Sequence, residues 1–263
     1  MSDEGRWSDL VQRVISGLVL AGLGLGAVWS GGWVFIWFVA IACGGIMWEL
    51  VRMLSPGRPE MSAGLGVLTT LCSVLAIWFP AGFALPTLLV PAVLGWLWLK
   101  TQRRIFVPFA FFILLAGFGM ASVRSEFGFV WMAWLITTVA ATDIAGYFAG
   151  RIFGGPKFWP KVSPKKTWSG TAAGWVVAAL VGLGFAQVLP GGGGLVLLSI
   201  AASFASQMGD IAESAVKRHV GVKDSSGLIP GHGGIFDRFD GMLGASVLVL
   251  FVMELTGYPP GGV

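Results

Sequence analysis

The chain has 263 residues, of which 56% are apolar and only 11% charged, with a formal net charge of +4. Globular domains carry about a quarter charged residues, so soluble, disordered, collagenous and disulfide-stapled classes are all excluded. The 40 glycines, 13 tryptophans and 19 phenylalanines instead fit a polytopic membrane protein that touches lipid.

A membrane-spanning helix takes about 20 mainly apolar residues, so nine would use about 180 and leave too little chain for a separate soluble domain. Apolar segments run over 10–30, 33–52, 62–79, 82–99, 105–123, 128–150, 170–189, 193–216 and 241–257. The first is long enough to span and no small-residue cleavage site follows it, so no cleavable signal peptide is expected. Between the segments lie turn-like or charged breaks. They include Ser30-Gly31-Gly32, Ser55-Pro56-Gly57-Arg58-Pro59, the basic stretch 100–104, the long loop 151–169 and the loop 217–240. Cys43 and Cys72 are isolated within apolar runs and read as small buried hydrophobes.

The basic residues orient this partition. With the N-terminus in the cytosol, sixteen of the seventeen Lys and Arg residues fall on the cytosolic side, and Arg124 alone falls outside. That is the bias of the positive-inside rule. The expected fold is an all-α polytopic integral membrane protein of about nine transmembrane helices, with the C-terminus external. Residues 1–125 are expected to form spans one to five, a scaffold with dimer or lipid contacts. Residues 126–263 are expected to form the catalytic spans six to nine, with cytosolic loops 151–169 and 217–240.

Carboxylates in or beside spans are expensive in lipid and face polar cavities. In the sixth segment Asp143, Tyr147 and Arg151 recur at i, i+4, i+8 and share one helical face. They serve either an internal polar set that holds helices together or a function. The loop after them is the densest in positive charge. It carries Lys157, Lys161, Ser163, Pro164, Lys165, Lys166, Thr167 and Ser169, and it opens the seventh helix. Lysines and hydroxyls beside free helix N–H groups form an anion site; the plainer alternative is a basic loop that sets topology. In the eighth segment Asp210, Glu213, Ser214 and Lys217 lie on one stripe at i, i+3, i+4, i+7. Two acids one turn apart suit Mg2+, which takes one or two carboxylates plus substrate phosphates. A helix-stabilising pair would account for Glu213 and Lys217 but not for the deeper Asp210. Asp237 and Asp240, one turn apart at the entrance to the ninth span, could meet the Asp210 face. Just before them, glycines around His232 let backbone approach a ligand closely.

Residues 214–240 resemble, without a gap over 27 positions, the signature of the integral-membrane phosphatidate cytidylyltransferases, or CDP-diacylglycerol synthases. The positions that carry the resemblance are Ser214, Lys217, Arg218, Lys223, Asp224, Ser226, Ile229, Pro230, His232, Gly233, Gly234, Ile235, Asp237, Arg238, Phe239 and Asp240. Gly209-Asp210, Glu213, Asp143, Tyr147, Gly150-Arg151 and 163–167 are similar to the family too. Ser169 departs from it, standing where members often carry an acid. The first five spans resemble the family only in hydropathy.

The resemblance implies a magnesium-dependent reaction of CTP with phosphatidate, giving CDP-diacylglycerol and pyrophosphate for phospholipid synthesis. It also implies a homodimer. Asp210 and Asp237 are then the metal pair for Mg2+, with a second cation, divalent or K+, as an open addition. Glu213 and Asp240 support them. Lys217 and Lys223 act beside the aspartates. Ser163, Lys165, Lys166, Thr167, Ser214, Arg218 and Arg238 bind CTP, and His232-Gly233-Gly234 shapes the pocket. The expected partners are CTP, the phosphatidate lipid and the membrane, with no nucleic acid. The expected place is the bacterial plasma (inner) membrane, with the site facing the cytosol. Two other readings stand beside this one: a CTP-dependent lipid-alcohol kinase, and an ion or solute transporter.

Overall fold

The computed structural model describes residues 3–258. Among these, nine α-helices follow the nine apolar segments: α1 Asp3–Ser30, α2 Gly32–Leu54, α3 Pro59–Trp78, α4 Ala81–Trp98, α5 Arg103–Ser122, α6 Phe129–Ile152, α7 Trp168–Phe185, α8 Gly193–His219 and α9 Phe236–Thr256. Eight are long and apolar enough to cross a membrane. The apolar stretch of α4, Gly82–Trp98, is shorter, and Pro86 and Pro91 lie within that helix. The chain is an integral membrane protein built on helices, as the hydropathy pattern requires.

Local chemistry sets the breaks. Gly31 stands at φ 61 between α1 and α2, a conformation that a side chain resists. Pro59 occupies the first turn of α3, where a missing N–H costs nothing. A five-residue π-helical turn, Val123–Phe127, closes on Gly128 at φ 86 before α6 begins.

Several features differ from the hydropathy reading, among them the start of α1 at Asp3 and the end of α7 at Phe185. Helix α8 runs on to His219, because its last turn carries Lys217, Arg218 and His219, cations that suit a helix C-terminus. Helix α9 starts at Phe236, five residues before residue 241, because hydrogen bonds described below fix its first turn. The basic loop after α6 is not irregular throughout. It holds a small antiparallel hairpin, β1 Lys157–Trp159 with β2 Ser163–Thr167, pairing Lys157 with Thr167 and Trp159 with Ser163.

The described residues form two compact units. One comprises the chain up to Phe111 together with Val220–Phe239; the other comprises Phe112–His219 with the chain from Asp240 onward. In the first, α2 packs on α3 and α3 on α4. Ile46, Met47, Leu50 and Val51 of α2 are wholly buried there. In the second, α6, α7 and α8 pack mutually and are stitched by polar groups: Trp134 Nε1 donates to Ser199 Oγ at 2.8 Å, and Thr142 Oγ1 to Ser203 Oγ at 2.8 Å. Such bonds join helices where burial alone has little to drive association.

Candidate active site

The second unit builds a cavity of about 500 Å3, carrying several charged side chains, from four elements: α6, β2, α8 and the start of α7 at Gly170 and Thr171. Helix α6 supplies Asp143, Tyr147 and Arg151, on the one face their spacing predicts, and Arg151 Nη1 donates to the Tyr147 hydroxyl at 2.9 Å. Strand β2 supplies Lys165, Lys166 and Thr167, and α8 supplies Gln207 and Asp210. Lys166 Nζ sits 2.7 Å from Asp210 Oδ2 and 3.3 Å from the Gln207 carbonyl, so the hairpin lysine is fastened directly to α8. Thr167 caps α7, its Oγ1 accepting from Gly170 N at 3.2 Å. Ser169 closes this turn from the other side. Its hydroxyl donates to the Gly154 carbonyl and lies 3.0 Å from Thr167 Oγ1. The serine at the position that departs from the family pattern therefore has a structural use here.

Beside the cavity, Asp210, Glu213 and Asp240 each offer a carboxylate oxygen within 4.8 Å of the other two. The backbone explains the convergence. A Cβ on Gly209 would strike the Asp240 carbonyl, and one on Gly244 the Ala205 carbonyl, so α8 and α9 approach here at a distance that only glycine permits. Asp210 and Glu213 are one turn apart on α8, and Asp240 comes from the first turns of α9. Glu213 is fully buried, and Lys217 Nζ pairs with its Oε2 at 2.7 Å. Ser214 Oγ donates to Asp210 Oδ1 at 3.3 Å. Three carboxylates this close repel one another, and Lys166 and Lys217 offset part of that charge. The donor set is all hard oxygen, the kind that a divalent Mg2+-like cation takes.

The first unit holds the signature residues from Lys223 to Phe239, whereas Arg218 belongs to the second. Asp237, one turn before Asp240 on α9, accepts three hydrogen bonds on Oδ2: Ser225 N at 2.9 Å, Ser225 Oγ at 2.8 Å and Gly234 N at 2.8 Å. His232 Nδ1 lies 2.8 Å from Ser16 Oγ of α1, which also reaches the Pro230 carbonyl at 2.9 Å. Gly233 stands at φ 84, and a Cβ on Gly234 would strike Ser225 Oγ and Glu49 Oε1. The His-Gly-Gly run is thus a tightly packed turn. Lys223, Asp224, Arg218 and Arg238 are exposed. Ser163 pairs with Trp159 at the closed end of the hairpin.

Three residues that organise these regions went unnoticed in the sequence: Ser16, Glu49 and Gln207. Glu49 is the one carboxylate within the segment 33–52, and the cost of an acid in a span points to it as it does to Asp210. Gln207 accepts from Trp175 Nε1 at 3.0 Å and donates to the Thr171 carbonyl at 3.2 Å. An isolated amide side chain carries no such signal.

Residues 11–256 match the cytidylyltransferase family. A phosphatidate cytidylyltransferase of Brucella suis is 36% identical over 253 residues, 92% of either chain. One of Bacillus subtilis is 38% identical over 133 residues, 49% of either chain. One of Mycobacterium tuberculosis is 37% identical over 144 residues, 54% of this chain and 44% of its own.

Proposed function

Since the chain belongs to the cytidylyltransferase family, we propose that it transfers the cytidylyl group of CTP to the phosphate of phosphatidate, giving CDP-diacylglycerol and pyrophosphate. The observation that carries this reading is the carboxylate trio Asp210, Glu213 and Asp240 beside a cavity lined by Lys165, Lys166 and Arg151. CTP and a phosphatidate headgroup are both polyanions, and a site that joins them needs cations on every side.

Asp210, Glu213 and Asp240 would hold Mg2+, and Asp237, one turn away along α9, is the further candidate ligand. The ion, when bound, would screen the triphosphate and polarise the phosphoryl group under attack. Lys165, Lys166 and Arg151 receive phosphate oxygens. Lys166 exchanges part of its hold on Asp210 for the nucleotide, so CTP arrival and metal loading are linked through one side chain. Lys217 keeps the Glu213 carboxylate aimed at the trio. A phosphatidate oxygen attacks the α-phosphorus of CTP. The new P–O bond forms as the bond to the bridging oxygen of the β-phosphate breaks, and pyrophosphate leaves with that electron pair. Phosphate monoesters are already mostly ionised at neutral pH, with a second pKa of about 6, so no strong general base is required. The absence of a histidine from the described cavity lining agrees with that economy. Catalysis is then positioning and charge stabilisation.

The basic residues support an orientation with the N-terminus and the cavity in the cytosol, and the lipid enters sideways from the inner leaflet. The reading includes a homodimer, which the mass of the detergent-solubilised protein tests. For the chemistry, purified protein receives phosphatidate, Mg2+ and CTP labelled at the α- or the γ-phosphate. Label from the α-position is expected in the lipid. Label from the γ-position alone would overturn the proposal in favour of a kinase.

A further inference from the structure

Glu49 lies in the middle of the first unit's packing, on α2, and none of its surface is exposed. Its carboxylate accepts four hydrogen bonds, two on each oxygen. Oε1 takes Ser226 Oγ at 2.6 Å and Ile235 N at 2.9 Å. Oε2 takes Ser225 Oγ at 3.0 Å and Phe236 N at 2.7 Å. All four donors are neutral. Two come from one end of the loop 225–236 and two from the other, where α9 begins, so one side chain pins both ends of the turn that contains His232-Gly233-Gly234. The N–H groups that open a helix lack intrahelical partners and favour negative charge. Here a carboxylate from a distant helix meets that need.

Glu49 also bears on Asp237. Ser225 Oγ lies 3.0 Å from Glu49 Oε2 and 2.8 Å from Asp237 Oδ2, and it has a single proton to give. The two carboxylates therefore share one hydroxyl, and the hold of Glu49 on that serine fixes what Asp237 can accept. Gly234 packs so closely against Glu49 that no Cβ fits between them.

We propose that Glu49 is a positioning residue for cytidylyl transfer: through Ser225, Ser226 and the first N–H groups of α9 it holds the 225–236 loop, and with it the Asp237 carboxylate, in the form that receives nucleotide and cation. The kinetic part of this inference rests on the function proposed above; the structural part does not.

The test uses Glu49→Gln in the full-length protein in detergent, beside a Ser225→Ala/Ser226→Ala double variant that leaves the carboxylate in place. A glutamine offers one acceptor oxygen and turns an NH2 toward two groups that are themselves donors. Two of the four bonds are lost, those of whichever oxygen the NH2 replaces, and amide exchange at the one residue of Ile235 and Phe236 that faced it should speed up by about tenfold, as expected for losing one well-formed hydrogen bond. Exchange in α8 should not change. The apparent KM for CTP and for Mg2+ should rise by about tenfold, with kcat falling less. The double serine variant should move KM in the same direction by a smaller factor. Adding Ser225→Ala to Glu49→Gln should cost less than it does in the wild type, because both act through one link. Wild-type exchange at both Ile235 and Phe236 in Glu49→Gln would overturn the proposal outright. So would faster exchange accompanied by unaltered KM values. Should Glu49→Gln fail to fold, the double serine variant decides: wild-type KM values there refute the positioning role, and raised ones uphold it. If the wild-type protein itself makes no labelled lipid from CTP, it is the function above that fails, and the exchange data still decide whether Glu49 holds the loop.

Discussion

The buried pair of Glu213 and Lys217 gives the sharpest stability prediction. The two groups are 2.7 Å apart, with side chains 1% and 11% exposed, so solvent screens them little. Removing one partner of a buried pair costs about 3–5 kcal/mol, because the survivor stays desolvated and uncompensated. Lys217→Met should fall at the upper end of that range, since it leaves the Glu213 carboxylate within 4.8 Å of ligand oxygens of Asp210 and Asp240 with one cation fewer. Glu213→Gln should cost about 3 kcal/mol, because it strands the lysine but relieves the acidic crowding. The double variant removes both charges and keeps both volumes, so its loss should be about 1 kcal/mol, near-neutral replacement being the usual outcome for such pairs. The coupling energy is then several kcal/mol, far beyond the ~0.5 kcal/mol scatter of independent sites. Equilibrium unfolding in mixed micelles measures all four corners. Mg2+ at about a hundred times its Kd should restore about 2.7 kcal/mol to Lys217→Met, standing in for the missing charge. Losses that simply add would show that the pair is not a unit, and the account of how Glu213 is held would be wrong.

Other consequences can be checked with the same preparation. Gly234→Ala should destabilise by about 1–3 kcal/mol through overpacking against Ser225 and Glu49, and initial rates of lipid labelling should drop at least tenfold. Ser16→Ala removes the hydroxyl that faces His232 Nδ1, and equilibrium unfolding should report a loss of about 1 kcal/mol. Lys166→Met should change stability by no more than about 1 kcal/mol, since its pair with Asp210 is partly exposed, yet it should raise the KM for CTP severalfold. EDTA should abolish turnover and Mg2+ restore it. Asp210→Asn should weaken Mg2+ binding in calorimetry while leaving the helical circular dichroism intact.

The helices were legible because a span must be apolar along its whole length, and a run such as 33–52 has no other stable use. The acids Asp210 and Glu213 were legible for the complementary reason, that lipid tolerates a carboxylate only where something polar receives it. Helical periodicity also put Asp143, Tyr147 and Arg151 on one face, and the cavity they line bears that out. The hairpin 157–167 escaped notice because its two strands are short and crowded with lysine and proline, without the alternation that marks a strand. The roles of Ser16 and Glu49 escaped notice because their partners lie 214 and 176 or more residues away along the chain.

What the sequence by itself determined was the membrane class, the number and order of the helices, and a family signature dense in acids and cations, all of which depend on local composition and spacing. Only the tertiary structure decided how those residues are shared out. It put Asp240 with Asp210 and Glu213 through a glycine crossing of α8 and α9. It gave the Asp237 carboxylate to the hydrogen bonds of its own loop, and it gave that loop to a glutamate on α2. Periodicity names the face on which a side chain lies, whereas its partner is chosen by which backbones can approach closely enough for a hydrogen bond or an ion to bridge them.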